Sequence, residues 1–208
     1  HRPVLLSCYF LATVAAGAAG RTLLGSLRSA RQRGDHFWRG LLGPTAGGMV
    51  VHLGVVLLSL GIVTSTTLAT KTEVALAKGQ STIVAGQRIT YLGLRNVNDE
   101  LRQATQLNVR VNDHGPLRPA ITTFHGRDGQ VVGTPAISSN FWRDVYVTFD
   151  AIGGTGTTSG AQVANDLPPG SVVLGVTVEP LIVWLWAGGL TIGFGSLLSF
   201  IRRREERE

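Results

Sequence analysis

Three long apolar runs and one region of alternating polar and apolar positions divide the chain. The apolar runs cover Pro3 to Gly20, Ala46 to Ser65 and Leu181 to Ile201, and none of them contains a formally charged residue. Each is long enough to cross the roughly 30 Å hydrocarbon core of a bilayer as a helix. Between the second and third runs, short β-prone segments separated by Gly and Pro turns predict strands.

The region between the second and third apolar runs predicts a compact β domain. Its clearest predicted strands are Gln87–Leu94, Gln106–Asn112, Asp144–Asp150 and Ser171–Val178. In the third of these, Val145, Val147 and Phe149 alternate with polar-facing Tyr146 and Thr148, as expected of a strand with one buried face. The predicted fold class is therefore membrane α-helical plus all-β, with three transmembrane helices and an antiparallel β domain inserted between the second and third.

The charges predict an orientation in the membrane. The net charge of +6 lies mostly beside the apolar runs, so the polar region offers no basic groove and no nucleic-acid partner is expected. The predicted transmembrane helices cover residues 1–20, 46–66 and 180–201. Because basic loops remain on the cytoplasmic side of a membrane, we expect a cytoplasmic basic amphipathic loop over 21–45, an extracytoplasmic β domain over 67–179 and a cytoplasmic tail over 202–208. The basic loop lies either at the interface or in solvent as a connector.

One histidine lies inside the second apolar run. His52 is placed roughly 10 Å into the span from its cytoplasmic end, where an ionisable side chain normally faces a bundle interior, a partner or a cavity. On a helical wheel Thr45, Gly48, Ser59 and Thr66 fall within roughly 40° of His52 and leave room beside the imidazole. The residues alone leave three roles open: a hydrogen-bonded neutral histidine, a metal or haem ligand, or a proton relay.

The opposite face of the same run carries a repeat of small residues. Gly47, Gly54 and Gly61 recur every seven residues, and such a repeat favours close backbone packing against another helix. The lone cysteine, Cys8, lies inside the first run. Neither an internal disulfide nor a Cys-x-x-Cys redox motif is therefore expected.

Four blocks of sequence follow one another along the chain: "GGMVVHLGVVLLSLGIVTST", "KTEVALAKGQSTIVAGQRITYLGL", "TPAISSNFWRDVYVTF" and "EPLIVWLWAGGLTIGFGSLLSF". In this order they resemble the C-terminal part of the CcmF family, the haem lyase subunit of system I cytochrome c biogenesis. The third block resembles the family's Pro-Ala-Ile and Arg-Asp-x-Tyr-Val segment. The fourth resembles its final Pro-Leu-x-x-Trp-x-Trp-x-Gly-Gly span.

The resemblance implies a role for His52. It takes the place of an axial ligand of haem b, binding the haem iron, with Gly48 and Ser59 lining the pocket and the second ligand coming from outside this chain. In the family this haem passes electrons, from quinol, to incoming haem, which favours thioether attachment to apocytochrome c. The implied location is the bacterial inner membrane.

The resemblance also implies partners. They are the remainder of the CcmF-like protein or a sister subunit, a CcmE-like haem chaperone, a CcmH-like thiol partner, apocytochrome c and the lipid bilayer. The family's tryptophan-rich WWD segment, its flanking histidines and its other intramembrane histidine are missing here, so we expect at most part of a haem lyase active site. The chain would then be a piece of a longer protein or a separately encoded subunit. The rival hypothesis is a non-catalytic accessory subunit whose β domain is a protein-docking module.

Other candidate residues have simpler interpretations. His114 and His125 are predicted as solvated turn residues, with contact to a haem chaperone or substrate as the alternative, and His36 is placed at the interface. Arg143 and Asp144 are predicted to form an ion pair at a strand start or a partner-docking point. Trp184 and Trp186 are predicted to anchor the third helix in the aromatic belt, with a quinone or haem wall as the alternative.

Overall fold

The computed structural model describes residues 2–34, 36, 40–41, 45–100, 102–124, 130–154, 162–164 and 166–205. The chain divides into two compact units. The helical unit contains the residues up to Leu68 and those from Pro180 onward, and the β unit is Ala69–Glu179. The strands all fall between the second and third long helices in chain order. The predicted fold class is therefore confirmed.

Three helices of the described chain are long and apolar enough to cross a membrane. They are α1 (Arg2–Gln32), α2 (Ala46–Thr67) and α3 (Ile182–Glu205). α1 continues well past the end predicted at residue 20, so residues 21–32 are helical and were wrongly assigned to a loop. Leu23, Leu24 and Leu27 continue the helical spacing of apolar positions. The helix ends just before Gly34, whose φ of +75° is a left-handed conformation common at helix ends.

α2 and α3 pack through glycines on both helices. A Cβ placed on Gly54 would lie 2.7 Å from the backbone nitrogen of Ile192, and one on Gly188 would lie 2.7 Å from that of Leu58. Gly47 and Gly61 approach α3 in the same way, one on either side of Gly54. The predicted packing role of the glycine repeat in α2 is therefore confirmed, and α3 is its partner.

α1 contacts α2 mainly through small and apolar side chains. Near one end the Tyr9 hydroxyl and the Thr64 Oγ1 form a hydrogen bond of 2.7 Å. This bond pairs two polar groups that would otherwise lie in an apolar environment, where an unpaired hydroxyl is costly. It fixes α1 against a side of α2 different from the one that the glycines present to α3.

The β unit contains two five-stranded sheets in its described part. Sheet A consists of β1 (Thr70–Leu76), β7 (Ala136–Ser139), β8 (Arg143–Gly153), β9 (Gln162–Ala164) and β10 (Val172–Pro180). Sheet B consists of β2 (Ser81–Val84), β3 (Gln87–Asn98), β4 (Arg102–Val111), β5 (Ala120–Phe124) and β6 (Val131–Thr134).

The strands of sheet B follow chain order, whereas those of sheet A do not. Sheet B is a meander in chain order, and its neighbouring strands pair antiparallel. Sheet A runs β1-β10-β8-β7, with the short β9 pairing in parallel with β8. The pairing of β1 with β10 joins the first and last strands of the unit. The antiparallel prediction therefore holds apart from the short β8–β9 pair.

One apolar core is shared by the two sheets. Tyr91 and Leu107 come from sheet B, Val147 and Leu174 come from sheet A, and all are fully buried in the same cluster. The alternation predicted in β8 is confirmed, since Val145, Val147 and Phe149 are buried while Thr148 is exposed. Inward-facing residues of both sheets thus fill the interior, as in other two-sheet packings.

Candidate functional site

An exposed stripe runs along α2 on a side that neither α1 nor α3 covers. His52 lies in it, one turn after Gly48 and about two turns before Ser59. The exposed positions of the stripe are Thr45, Gly48, His52, Val55, Ser59, Ile62 and Thr66. Their spacing of three and four residues is that of a single helix face. The structure therefore places His52, Gly48 and Ser59 on a common surface, as the helical wheel predicts.

A groove of about 440 Å³ between α1 and α2 borders the imidazole. α1 contributes Ala15, Ala18, Ala19 and Thr22, and α2 contributes Met49, His52, Val55 and Val56. A second groove of similar volume shares Ala15, Val55 and Val56 with the first and reaches Cys8 and Ser59. The walls of both grooves are almost entirely apolar, and His52 and Ser59 are among their few polar lining residues.

Space beside the imidazole comes from Gly48. A Cβ placed on Gly48 would meet no atom of the described residues within 4 Å. This glycine therefore has no role in packing α2 against its neighbours in the described chain, in contrast to Gly47 and Gly54. A flat group could approach His52 along this side of the helix.

The donor set fits a haem better than a bare metal ion. No group of three or more His, Cys, Asp or Glu side chains that could hold an ion is found among the described residues. A structural zinc site needs four protein ligands. In a haem, the porphyrin supplies four nitrogen ligands to the iron, and the protein supplies only one or two axial ligands. A single imidazole beside an apolar groove meets that requirement.

The remaining predicted candidates do not join His52. His114 is exposed in the turn after β4, in the other unit, and His36 is exposed after the end of α1. His125 lies outside the described residues. Trp186 projects from the second turn of α3 with 74% of its surface exposed, while Trp184 is half-buried. Within the described part of the helical unit, the groove beside His52 is lined by no second histidine.

Arg143 and Asp144 do not form the predicted ion pair. The Arg143 Nη1 donates to the carbonyl oxygen of Ala85 at 3.2 Å. Asp144 is buried, and its Oδ1 has no hydrogen-bond partner among the described residues. Consecutive residues of a strand point to opposite faces of the sheet, so the two side chains diverge. Burial raises the pKa of the Asp144 carboxyl, and a hydrogen bond with Ser139 partly opposes that shift.

Two features escape a reading of the sequence. The grooves between α1 and α2 require knowing which faces of two distant helices meet, which no periodicity within one segment reveals. The second is the exposure of Phe141 and Trp142 together between β7 and β8, which the sequence block containing them does not predict. Their signal was a pair of large aromatic residues directly before a strand, after an asparagine suited to a turn.

Comparison with known proteins identifies relatives along nearly the whole chain. The chain is 28% identical to the cytochrome c-type biogenesis protein CcmF of Pseudomonas fluorescens over 97% of its length, covering 32% of that protein. It is 30% identical to the cytochrome c-type biogenesis protein ccl1 of Rhodobacter capsulatus over 93% of its length, covering 28% of that protein. The chain thus spans about a third of the length of these relatives. No protein-family model matches it.

A solved structure has the same fold. The chain matches a structure described as cytochrome c haem lyase CcmF with a TM-score of 0.62 and 21% identity, over 96% of this chain and 34% of the other. The fold of this chain is thus similar to that of about a third of a known structure. These matches support the assignment of the chain to the CcmF family, as a segment that corresponds to about a third of the length of its relatives.

Proposed function

We propose that this chain acts in cytochrome c maturation as part of a haem lyase, with His52 as one axial ligand of a membrane-embedded haem b. The observation that carries the proposal is the position of His52 in α2. It is an imidazole in an apolar span, exposed on one face of α2 and bordered by an apolar groove. The names of the relatives, which are cytochrome c-type biogenesis proteins, supply the reaction class.

The groove residues would hold and orient the cofactor. His52 would bind the iron through neutral imidazole, and Gly48 would let the macrocycle lie close to the helix backbone. Met49 and Val55 would exclude water, and a low-dielectric surrounding is one of the means by which proteins set a haem potential. The chemistry that a haem b held by these residues would supply is one-electron reduction of the iron of incoming haem, which would favour thioether formation on apocytochrome c.

The orientation in the bacterial inner membrane belongs to the same proposal. Arg28, Arg31 and Arg33 lie at the end of α1 that precedes α2, and basic residues between membrane helices mark the cytoplasmic side. The β unit would then be extracytoplasmic, where cytochrome c is assembled. There it would meet a CcmE-like haem chaperone, a CcmH-like thiol partner and apocytochrome c, while the second haem ligand would come from outside this chain.

A difference spectrum tests the ligand assignment. We expect His52→Ala in the full-length protein to lose most of the reduced-minus-oxidised b-type haem signal, because one axial ligand is removed. Thr66→Ala is the matched control, because Thr66 lies on the same stripe about 21 Å further along the helix. A full b-type signal in His52→Ala would contradict the proposal and favour the accessory-subunit hypothesis.

A further inference from the structure

The turn between β7 and β8 displays two large aromatic side chains. Phe141 is 56% exposed and Trp142 is 61% exposed. Their rings pack edge to face, with centroids 5.0 Å apart and planes at 90°, a geometry that aromatic pairs favour. The two rings form a single apolar projection at the tip of a hairpin, which we name the aromatic tip (Phe141 and Trp142).

The backbone that carries the aromatic tip is fixed by polar contacts. The Asn140 Oδ1 accepts hydrogen bonds of 2.9 Å from the backbone nitrogens of Trp142 and Arg143. The Asn140 nitrogen donates to the Arg143 carbonyl at 3.1 Å and closes the turn. Arg143 in turn reaches the Ala85 carbonyl in the neighbouring β2–β3 turn. These bonds hold the turn that displays the two rings.

The aromatic tip lies at the end of sheet A where β1 and β10 connect to the long helices. Thr70, at the start of β1, pairs with Val178, near the end of β10. β8 runs antiparallel to β10, because Gly153 bonds to Ser171 at one end and Thr148 bonds to Gly175 in the middle. The start of β8, directly after the aromatic tip, therefore lies beside the end of β10.

Both chain connections at this end of the sheet are very short. α2 ends at Thr67 and β1 begins at Thr70, while β10 ends at Pro180 and α3 begins at Ile182. The residues beside these connections expose apolar surface as well, since Leu68 is half exposed and Trp186 is largely exposed. Two helices able to cross a membrane are thus tethered within a few residues of the strand ends beside the aromatic tip.

We propose that the aromatic tip inserts into the headgroup region of the bilayer that α2 and α3 cross. Tryptophan concentrates at this depth because its ring is apolar while its N–H is polar. A lipid surface is the occupant that the observations favour, because the strand ends beside the tip connect within two residues to α2 and α3, which are long and apolar enough to cross a bilayer. The β unit would then have three attachments to the membrane, two covalent and one through side chains, which restrict its rotation about the short connections.

Spin labels placed at two ends of sheet A test this proposal in the full-length protein in liposomes. With Cys8 and any other native cysteines replaced by Ser, labels are attached at Trp142→Cys and, as the matched control, at Asp166→Cys. Asp166 is exposed in the turn before β10, at the opposite end of the sheet. We expect the label at residue 142 to collide more often with oxygen, which concentrates in lipid, than with a water-soluble nickel complex, and the label at residue 166 to show the reverse.

Two outcomes would overturn the proposal. A label at residue 142 as accessible to nickel as the label at residue 166 would show that the tip lies in water. A label protected from both reagents would show that a protein surface covers it. A label at Phe141→Cys, with Trp142 retained, gives an independent reading should Trp142→Cys fail to fold.

Discussion

Asp144 is a buried carboxyl whose proton affects the stability of the β unit. Because burial raises its pKa in the folded state, the folded chain holds this proton at pH values where the unfolded chain has released it. The free energy of unfolding therefore falls as the pH rises from the pKa of this carboxyl in the unfolded chain to its higher pKa in the folded chain. The Oδ1 of Asp144 has no hydrogen-bond partner among the described residues, which makes the charged form costly above that window.

We expect Asp144→Asn to remove this loss and to make the β unit more stable at neutral pH than the unsubstituted protein. The measurement is thermal unfolding of the detergent-solubilised full-length protein, followed by circular dichroism from mildly acidic to neutral pH. Asp113→Asn is the control, because Asp113 lies on an exposed turn. An unchanged pH dependence in Asp144→Asn would show that this carboxyl does not set the slope.

The packing of α2 against α3 depends on individual glycines. Gly188 faces Leu58 and Gly54, whereas a Cβ on the adjacent Gly189 would meet nothing within 4 Å among the described residues. We expect Gly188→Ala to destabilise the helical unit by about 1–3 kcal/mol through overpacking. Gly189→Ala should be neutral or stabilise by up to about 1 kcal/mol, because alanine is the better helix former.

Denaturant unfolding of the two variants in the same detergent gives the comparison. Since the substitutions are chemically identical and one residue apart, helix propensity cancels and the difference reports helix packing. Equal stabilities for the two variants would mean that α3 does not pack against α2 through Gly188.

Element types and faces were predictable because each depends on local spacing. The glycine repeat of α2 specified a packing face, and the alternation in β8 specified which side chains are buried. The repeat could not specify its neighbour, because α1 and α3 are both apolar and only the three-dimensional structure pairs Gly54 with Ile192. The end of α1 was missed because the basic residues after Gly20 suggested a loop, although helical spacing continued to Gln32.

The two units differ in how much of their apolar surface they bury. The β unit encloses its own core, with Val147 and Leu174 fully buried. The helical unit leaves much of its apolar surface outward, as expected of helices in lipid, where the solvent is itself apolar. His52 lies on that outward surface, so the proposed site depends on groups beyond the described residues, and sequence alone could locate the imidazole but not its opposite ligand.

The most direct test of the central claim is chemical rescue of His52→Gly in the full-length protein. We expect this variant to lose both the b-type haem signal and covalent haem attachment to cytochrome c, and added imidazole, which can occupy the space of the missing side chain, to restore both. Thr66→Ala should retain the haem signal and the attachment and should not respond to imidazole. A full b-type haem signal in His52→Gly without imidazole would show that His52 is not a haem ligand.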